Sequence, residues 1–558
     1  KFFEDSDGKG MEYGATDVFF RGLDGFIGPP NPNLDETVEQ EHCAAEDSKI
    51  DFQVPNYKTE TTSQQEYYFV SDPSAERLAQ LGLPAWPREM RDDLMMPKKS
   101  ESLKNVAEKL GAEGTQEDRR RKPKPLSEFA EEGVSERNER LRDLGMEPLQ
   151  DVEILTARLY TGPMYCKYNT VLRDIGHLQH QMSQQTTKSA TQSSKEISER
   201  LNAYQQQKED EERGKPERER TGAETRFPGH TRGNLYTTTL HVINSAVLKL
   251  GKLTQATKVY RGISFRTLPE QMKKVDPENL TRGGIKYGFT SCSRDKNEAT
   301  VYANPNSEKN HTPILLEMKQ GMIDRGADLS WLSQYPHEQE ILFPPLMGLE
   351  ITGTIIQDGM LNVDVRPSLN LNSMTIEKVV AKMQSSHIQL LELLSDGLRF
   401  AGVPTNAMQP LTSQKRIAQQ REPTWFNSTS NYQEATKNAI QRQTEVFTYL
   451  TNAANTDTTL EIESSSLFEV ARLAAVAGEQ KQAVDLLLLW RRREIIEKEG
   501  NVRVPECVES LKHVMKYLLD EGCQFPWPKT VAELASTRCA KSVGGYNYKT
   551  ECIPKEDV

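Results

Sequence analysis

Three short stretches between Lys258 and Pro345 carry side chains able to do chemistry together. In the last of them, Glu338 and Glu340 stand two apart, ahead of Ile341-Leu342-Phe343. If this stretch is extended, alternate side chains share a face, so both carboxylates aim at one spot and Gln339 points away. A close carboxylate pair suits substitution at a sugar carbon. One acid stabilises a cationic, oxocarbenium-like centre while the other manages a nucleophile. A solvated edge strand would carry the same two charges, and usually that is all such a pair is. Here the pair follows the turn signal Tyr335-Pro336 and opens an apolar run that stops at Pro344-Pro345.

The first stretch, Val259-Tyr260-Arg261-Gly262-Ile263, reads as a strand holding one arginine. A guanidinium is a planar fork of donors matched to phosphate oxygens, although a strand-end arginine more often just pairs with a nearby acid. The middle stretch is Gly288-Phe289-Thr290-Ser291-Cys292-Ser293. Its serines recur at period two, so a hydroxyl on the catalytic face can hold a carboxylate or touch a ribose. Alone it would read as an ordinary Ser-rich strand end. The order of the three stretches makes the pattern specific.

These side chains need strands to position them. The expected strands are 258–265, 285–293, 313–318, 339–343 and 350–356, with a helix over Tyr236 to Leu250 whose apolar residues fall on one face. Short strands with helices gathered to one side give an α+β class.

An Arg, then a Ser-x-Ser, then a Glu-x-Glu resembles the arginine-specific mono-ADP-ribosyltransferases, which include cholera-like toxins and vertebrate ecto-enzymes. The resemblance begins near Glu153, with Leu159-Tyr160-Thr161 and Tyr168-Asn169, and ends near Gln357. It implies a split β-sandwich core with N-terminal helices, NAD as co-substrate, no metal, and a protein substrate with an exposed arginine. It places Arg261, with Gly262 beside it, on the NAD pyrophosphate, and Phe289, Ser291 and Ser293 along the dinucleotide. Ser291 would support the catalytic glutamate, which falls on Glu340, and Glu338 would orient and help deprotonate the acceptor arginine. An arginine stays protonated at neutral pH, so a neighbouring carboxylate is a physical requirement. Residues 326–337 would form the acceptor-recognising loop, with Trp331 and Tyr335 as contacts unless they merely pack it. Cys292 departs from the family's central threonine, a small change in volume.

The chain of 558 residues has room for about three domains, expected as 1–150 (accessory, charged), 151–360 (transferase, with a polar insertion near 183–232) and 361–558 (helical). Hydrophobic content is 36% and mean hydropathy −0.68, so part of the chain is linker or surface helix. A net charge of −11 argues against general nucleic-acid binding. Seven scattered cysteines without a CxxC argue against a disulfide framework, so a cytoplasmic, reducing setting is expected. A start at Lys1 leaves room for a removed targeting piece. No apolar run is long enough to span a bilayer.

Outside the transferase stretch the signals are bland. Asp5 to Gly10 fits a calcium loop poorly, because position twelve is Thr16. Thr16 to Pro32 is too apolar for a solvated tail and should pack on something. Helices ending at Gly82 and Gly145 flank the basic run Arg119 to Lys124, which reads as a solvated linker. The C-terminal part should form helices over 376–398, 466–477 (Ser466 as N-cap), 479–499 and 508–519, a module that either recruits a partner or only packs. The function expected is transfer of ADP-ribose from NAD to protein arginine. The alternatives are NAD hydrolysis and a structural subunit on an unused transferase fold.

Overall fold

The computed structural model describes residues 16–53, 60–72, 74, 126, 133–185, 194–214, 231–264, 268, 270–275, 282–303, 313–370, 372–455, 462–479, 481–487 and 489–490. The candidate calcium loop at 5–10, the helix at 76–82, the basic run at 119–124 and the helices expected over 491–499 and 508–519 lie outside them. The chain divides into two compact units, Lys1–Val379 and Val380–Val558.

The first unit is a mixed α+β fold built on an eight-stranded sheet, and a separate two-residue ladder joins β1 (Phe52–Gln53) to β2 (Glu60–Thr61). The sheet strands are β3 (Lys258–Ile263), β4 (Gly283–Lys286), β5 (Thr290–Ser293), β6 (Ile314–Lys319), β7 (Ala327–Asp328), β8 (Glu340–Phe343), β9 (Met347–Gln357) and β10 (Met360–Ser368). Their order is β4-β9-β10-β6-β3-β5-β8-β7. All pairs are antiparallel except β10 with β6. β3 meets β6 over six residue pairs but meets β5 at one, Tyr260 opposite Ser293. The sheet therefore nearly parts there, into a five-stranded and a three-stranded portion. Val259, Ile263, Cys292, Leu316, Ile341 and Phe343 are among the side chains that fill the core between strands.

Three strand expectations changed. The stretch 285–293 is two strands, β4 and β5, with Tyr287 to Phe289 between them. β9 starts at Met347, earlier than expected. β10 has no counterpart in the sequence reading, yet it lies mid-sheet between β9 and β6. Its signal was present: Asp358 and Gly359 both take positive φ, 54° and 74°, which is the two-residue hairpin turn an Asp-Gly pair favours.

The helices of this unit are α1 (Thr16–Ile27), α2 (Leu34–Cys43), α3 (Ser63–Ser71), α4 (Ser135–Asp143), α5 (Asp151–Thr161), α6 (Tyr165–Gln185), α7 (Ser194–Gly214), α8 (Thr237–Leu253), α9 (Glu270–Lys273), α10 (Lys296–Ala303) and α11 (Ile376–Val380). The apolar stretch after Thr16 does pack: Leu23, Phe26 and Ile27 are buried, and the Phe26 ring stacks on Tyr287 at 5.8 Å. Part of the expected polar insertion is α7, and it is not wholly a surface element. Leu201 and Gln205 are buried, and Gln205 and Lys208 both donate to Asp174 of α6, at 3.0 and 3.1 Å.

The N-terminal segment is fastened to the sheet-bearing part by a buried polar cluster. Lys167 of α6 and Asp47 form an ion pair of 2.6 Å at 1% and 0% exposure. Tyr236 donates to the same Asp47 oxygen at 2.9 Å and Asn234 to the other at 2.8 Å. Lys167 also donates to Ser63 at 2.8 Å. Tyr236 has a left-handed backbone and gives α8 no side-chain cap, so Glu41 of α2 supplies one. Its carboxylate accepts from Thr238 N and Thr239 N, both at 2.9 Å, where a helix start has unsatisfied donors.

His42 sits beside this cluster, fully buried. Its Nδ1 lies 2.6 Å from the Val38 carbonyl and so donates, leaving Nε2 to accept from the Tyr168 hydroxyl at 2.6 Å. That neutral tautomer uses both nitrogens, and burial lowers its pKa from 6.5 to about 4. Folded His42 resists a proton that the unfolded chain accepts. Its stabilising contribution is complete above pH 6.5 and falls away as pH drops toward 4, a loss of about 3 kcal/mol at roughly 1.4 kcal/mol per unit. Melting temperature against pH for wild type minus His42→Gln should show that slope. Parallel curves for the two proteins would remove His42 as its source.

The second unit is helical among its described residues, with α12 (Lys382–Phe400), α13 (Gln409–Gln420), α14 (Thr429–Asn455) and α15 (Ser464–Val476) around a core that includes Leu391, Leu411, Phe426, Phe447, Leu467 and Val470. α15 begins with Glu463 at the N-cap, ahead of the expected Ser466. Residues 481–487 are helical after Gly478, whose φ of 83° ends α15.

Candidate active site

A cleft opens where β3 and β5 part. Tyr260, Arg261 and Gly262 of β3, Ser291, Cys292 and Ser293 of β5, Ala299 and Tyr302 of α10, and Glu338 and Glu340 line it. The three sequence stretches thus converge on one place. β5 and β8 pair so that Ser293 lies opposite Glu340 and Ser291 opposite Leu342, which sets serine and glutamate side by side through backbone register alone.

Arg261 is 5% exposed, and its guanidinium donates to the Ser291 carbonyl. Burial lowers its pKa, with Cys292 and Tyr160 opposing and the neighbouring Arg173 of α6 adding to the effect. Gly262 is the packing contact for α10, since a Cβ there would stand 1.9 Å from the Ala299 carbonyl oxygen. Its small size therefore serves helix-on-strand packing as well as the cleft. Cys292 faces the core, and burial pushes its thiol up to about 12, which keeps it protonated and a poor nucleophile.

The expected strand geometry for the glutamate pair is corrected. Pro336–Glu338 is a turn of 3-10 helix, Gln339 is left-handed at φ 44°, and the strand begins only at Glu340. Both carboxylates reach the cleft, but through a turn and not through strand alternation. Ser293 holds that turn: its Oγ donates to the Glu338 carbonyl at 2.8 Å and accepts from Asp295 N at 2.9 Å. The Tyr302 hydroxyl donates to the Glu338 carboxylate.

Three expected site residues lie outside this lining. Phe289 is 1% exposed, packed edge-on against Tyr160 at 5.3 Å. Trp331 lies under the Arg137 guanidinium, 4.1 Å from its ring centre, and Tyr335 packs edge-on to His337. The loop that carries them is fastened to α5. Arg158 donates to the Leu332 carbonyl at 2.6 Å, while Gln334 donates to the Arg158 carbonyl at 2.8 Å and to Thr161 at 3.1 Å. α5 is held in turn by buried Lys249, which bonds Glu153 at 2.7 Å and Glu377 at 2.6 Å.

The sequence reading missed Tyr302 and Arg173. Tyr302 stands on a helix with no motif of its own. Arg173, just beyond Tyr168-Asn169, adds a second cation near Arg261. Among the described residues, no group of three His, Cys, Asp or Glu side chains could hold a metal ion, and no helix is long and apolar enough to cross a membrane.

Residues 138–382 match the family model described as ADP-ribosyltransferase exoenzyme. No curated relative matches the chain. Among solved structures, the ADP-ribosyltransferase HopU1 of Pseudomonas syringae pv. tomato DC3000 is 21% identical over 29% of this chain and 64% of its own, with a TM-score of 0.20. This chain therefore spans just under two thirds of HopU1. The Vis toxin from Vibrio splendidus is 15% identical over 50% of this chain and 89% of its own, with a TM-score of 0.25. Exoenzyme S from Pseudomonas aeruginosa, solved with human 14-3-3 protein beta and carba-NAD, is 15% identical over 43% and 86%, with a TM-score of 0.20. The cleft lies inside the segment that matches this family model, and that segment carries the α+β fold.

Proposed function

We propose that the chain transfers ADP-ribose from NAD to the side chain of a protein arginine and releases nicotinamide. The observation that carries this is the shared lining of one cleft by Arg261, Ser291, Glu338 and Glu340. The Arg261 guanidinium, with Arg173 near it, binds the pyrophosphate. Ser291 and Glu340 hold the nicotinamide ribose. As the bond between the ribose anomeric carbon and the ring nitrogen breaks, nicotinamide leaves neutral and the carbon becomes cationic. The Glu340 carboxylate stabilises that charge in a site largely closed to water. Glu338 orients the arginine so that a guanidinium nitrogen bonds the anomeric carbon, and the carboxylate takes the displaced proton. Residues 326–337, with Trp331 and Tyr335, present the acceptor, and the α-helical second unit is a candidate partner-recruiting module.

Incubation with labelled NAD and agmatine or polyarginine tests the reading. Labelled acceptor is the expected result. Release of free ADP-ribose alone would mean that water is the acceptor, and no turnover at all would leave the fold without the chemistry.

A further inference from the structure

One element outside the three motifs touches the glutamate pair. α10 presents Tyr302 to the cleft, and the Tyr302 hydroxyl donates to a Glu338 carboxylate oxygen. Ser293, the last residue of β5 and just ahead of α10, also holds the Glu338 backbone, its Oγ donating to the carbonyl at 2.8 Å. α10 is itself well anchored. Asp295 accepts from Asn297 N at 2.8 Å, Lys296 pairs with Glu317 at 3.1 Å, and the helix backbone lies directly on Gly262. Residues 293–302 therefore fix residue 338 at two points, one on the main chain and one on the carboxylate. Glu340 is placed by strand pairing opposite Ser293, with no bond from Tyr302 needed to set its register.

From this geometry we infer that Tyr302 is a positioning residue that tunes the enzyme toward a guanidinium acceptor and away from water. The inference rests on the transferase reading above. Glu338 ends a 3-10 turn and precedes a left-handed residue, so its backbone alone leaves the carboxylate several rotamers. The phenol selects one. A carboxylate offers about four lone-pair sites, so accepting one phenol hydrogen bond is compatible with also accepting from a planar guanidinium. Water needs no such orienting acid, so loss of the hydroxyl should fall on transfer more than on hydrolysis.

The test compares wild type, Tyr302→Phe, Glu338→Gln and the double variant, using NAD with and without agmatine. Tyr302→Phe should raise the KM for agmatine and lower the ratio of transfer to hydrolysis about fivefold to tenfold, with a smaller change in KM for NAD. In the Glu338→Gln background the same change should add little, because the phenol acts through that carboxylate. An unchanged ratio, an equal loss of both reactions, or full additivity with Glu338→Gln would each overturn the inference. Melting temperatures identify any variant that is merely unfolded, in which case Tyr302→Met repeats the comparison with the same expected ratio. A wild-type protein that turns over no NAD would instead count against the transferase reading.

Discussion

Glu340→Gln should lower both ADP-ribosyl transfer and NAD hydrolysis by about 10²–10⁴-fold, the range for removing a charge that stabilises a transition state or serves in proton transfer. The amide keeps the shape of the side chain but cannot neutralise a cationic sugar carbon. Glu340 is 1% exposed at the head of β8, so bulk water cannot replace it. Glu338→Gln should separate the reactions, cutting transfer strongly while sparing hydrolysis. Steady-state rates for nicotinamide release and for labelled agmatine, measured on folded protein, decide both. If Glu340→Gln retained most of its hydrolysis, the assignment of the cation-stabilising role would fall. If Glu338→Gln reduced the two rates equally, the acceptor-orienting role would fall.

The second large effect concerns stability. Lys167→Met should destabilise the first unit by about 3–5 kcal/mol, because it strands the Asp47 carboxylate where neither partner meets water. Burial lowers the Lys167 pKa, and the adjacent Asp47 carboxylate opposes that shift. Changing both, as Lys167→Met with Asp47→Leu, should recover part of the loss, since an apolar pair leaves no buried charge. Chemical denaturation followed by tryptophan fluorescence measures this, and a single variant as stable as wild type would refute the account. The family match begins at residue 138, whereas Glu41, Asp47 and Ser63 lie well before it. Removing residues 16–72 should therefore damage the sheet-bearing part as well.

What was legible in the sequence follows from how local each feature is. Arg261, Ser291 and Glu340 could be found because strand periodicity and chain order are short-range properties, and pairing between adjacent strands then converts them into proximity. Glu338 was found for a partly wrong reason, since Gln339 in a left-handed conformation breaks the alternation that was assumed. Tyr302 could not be found, because its role depends on where a motif-free helix lands. The Asp47 cluster joins residues more than a hundred positions apart, and no local pattern encodes it. β10 has a local signal, the Asp358-Gly359 turn and the alternation Leu361, Val363, Val365, but it lies beyond the motif-bearing stretch and carries no chemistry-bearing pattern of its own.

The single residue pair between β3 and β5 gives the molecule a seam. Elsewhere a sheet resists being prised open because several ladder bonds must break together. Here the main chain contributes one pairing, supplemented by the Arg261 guanidinium on the Ser291 carbonyl. On the proposed transferase reading, a pyrophosphate would compete for that guanidinium, and its arrival would loosen a tie between the two strands that border the cleft. The longer ladders on either side, β3 with β6 and β5 with β8, would keep the acids aligned while that joint gave way.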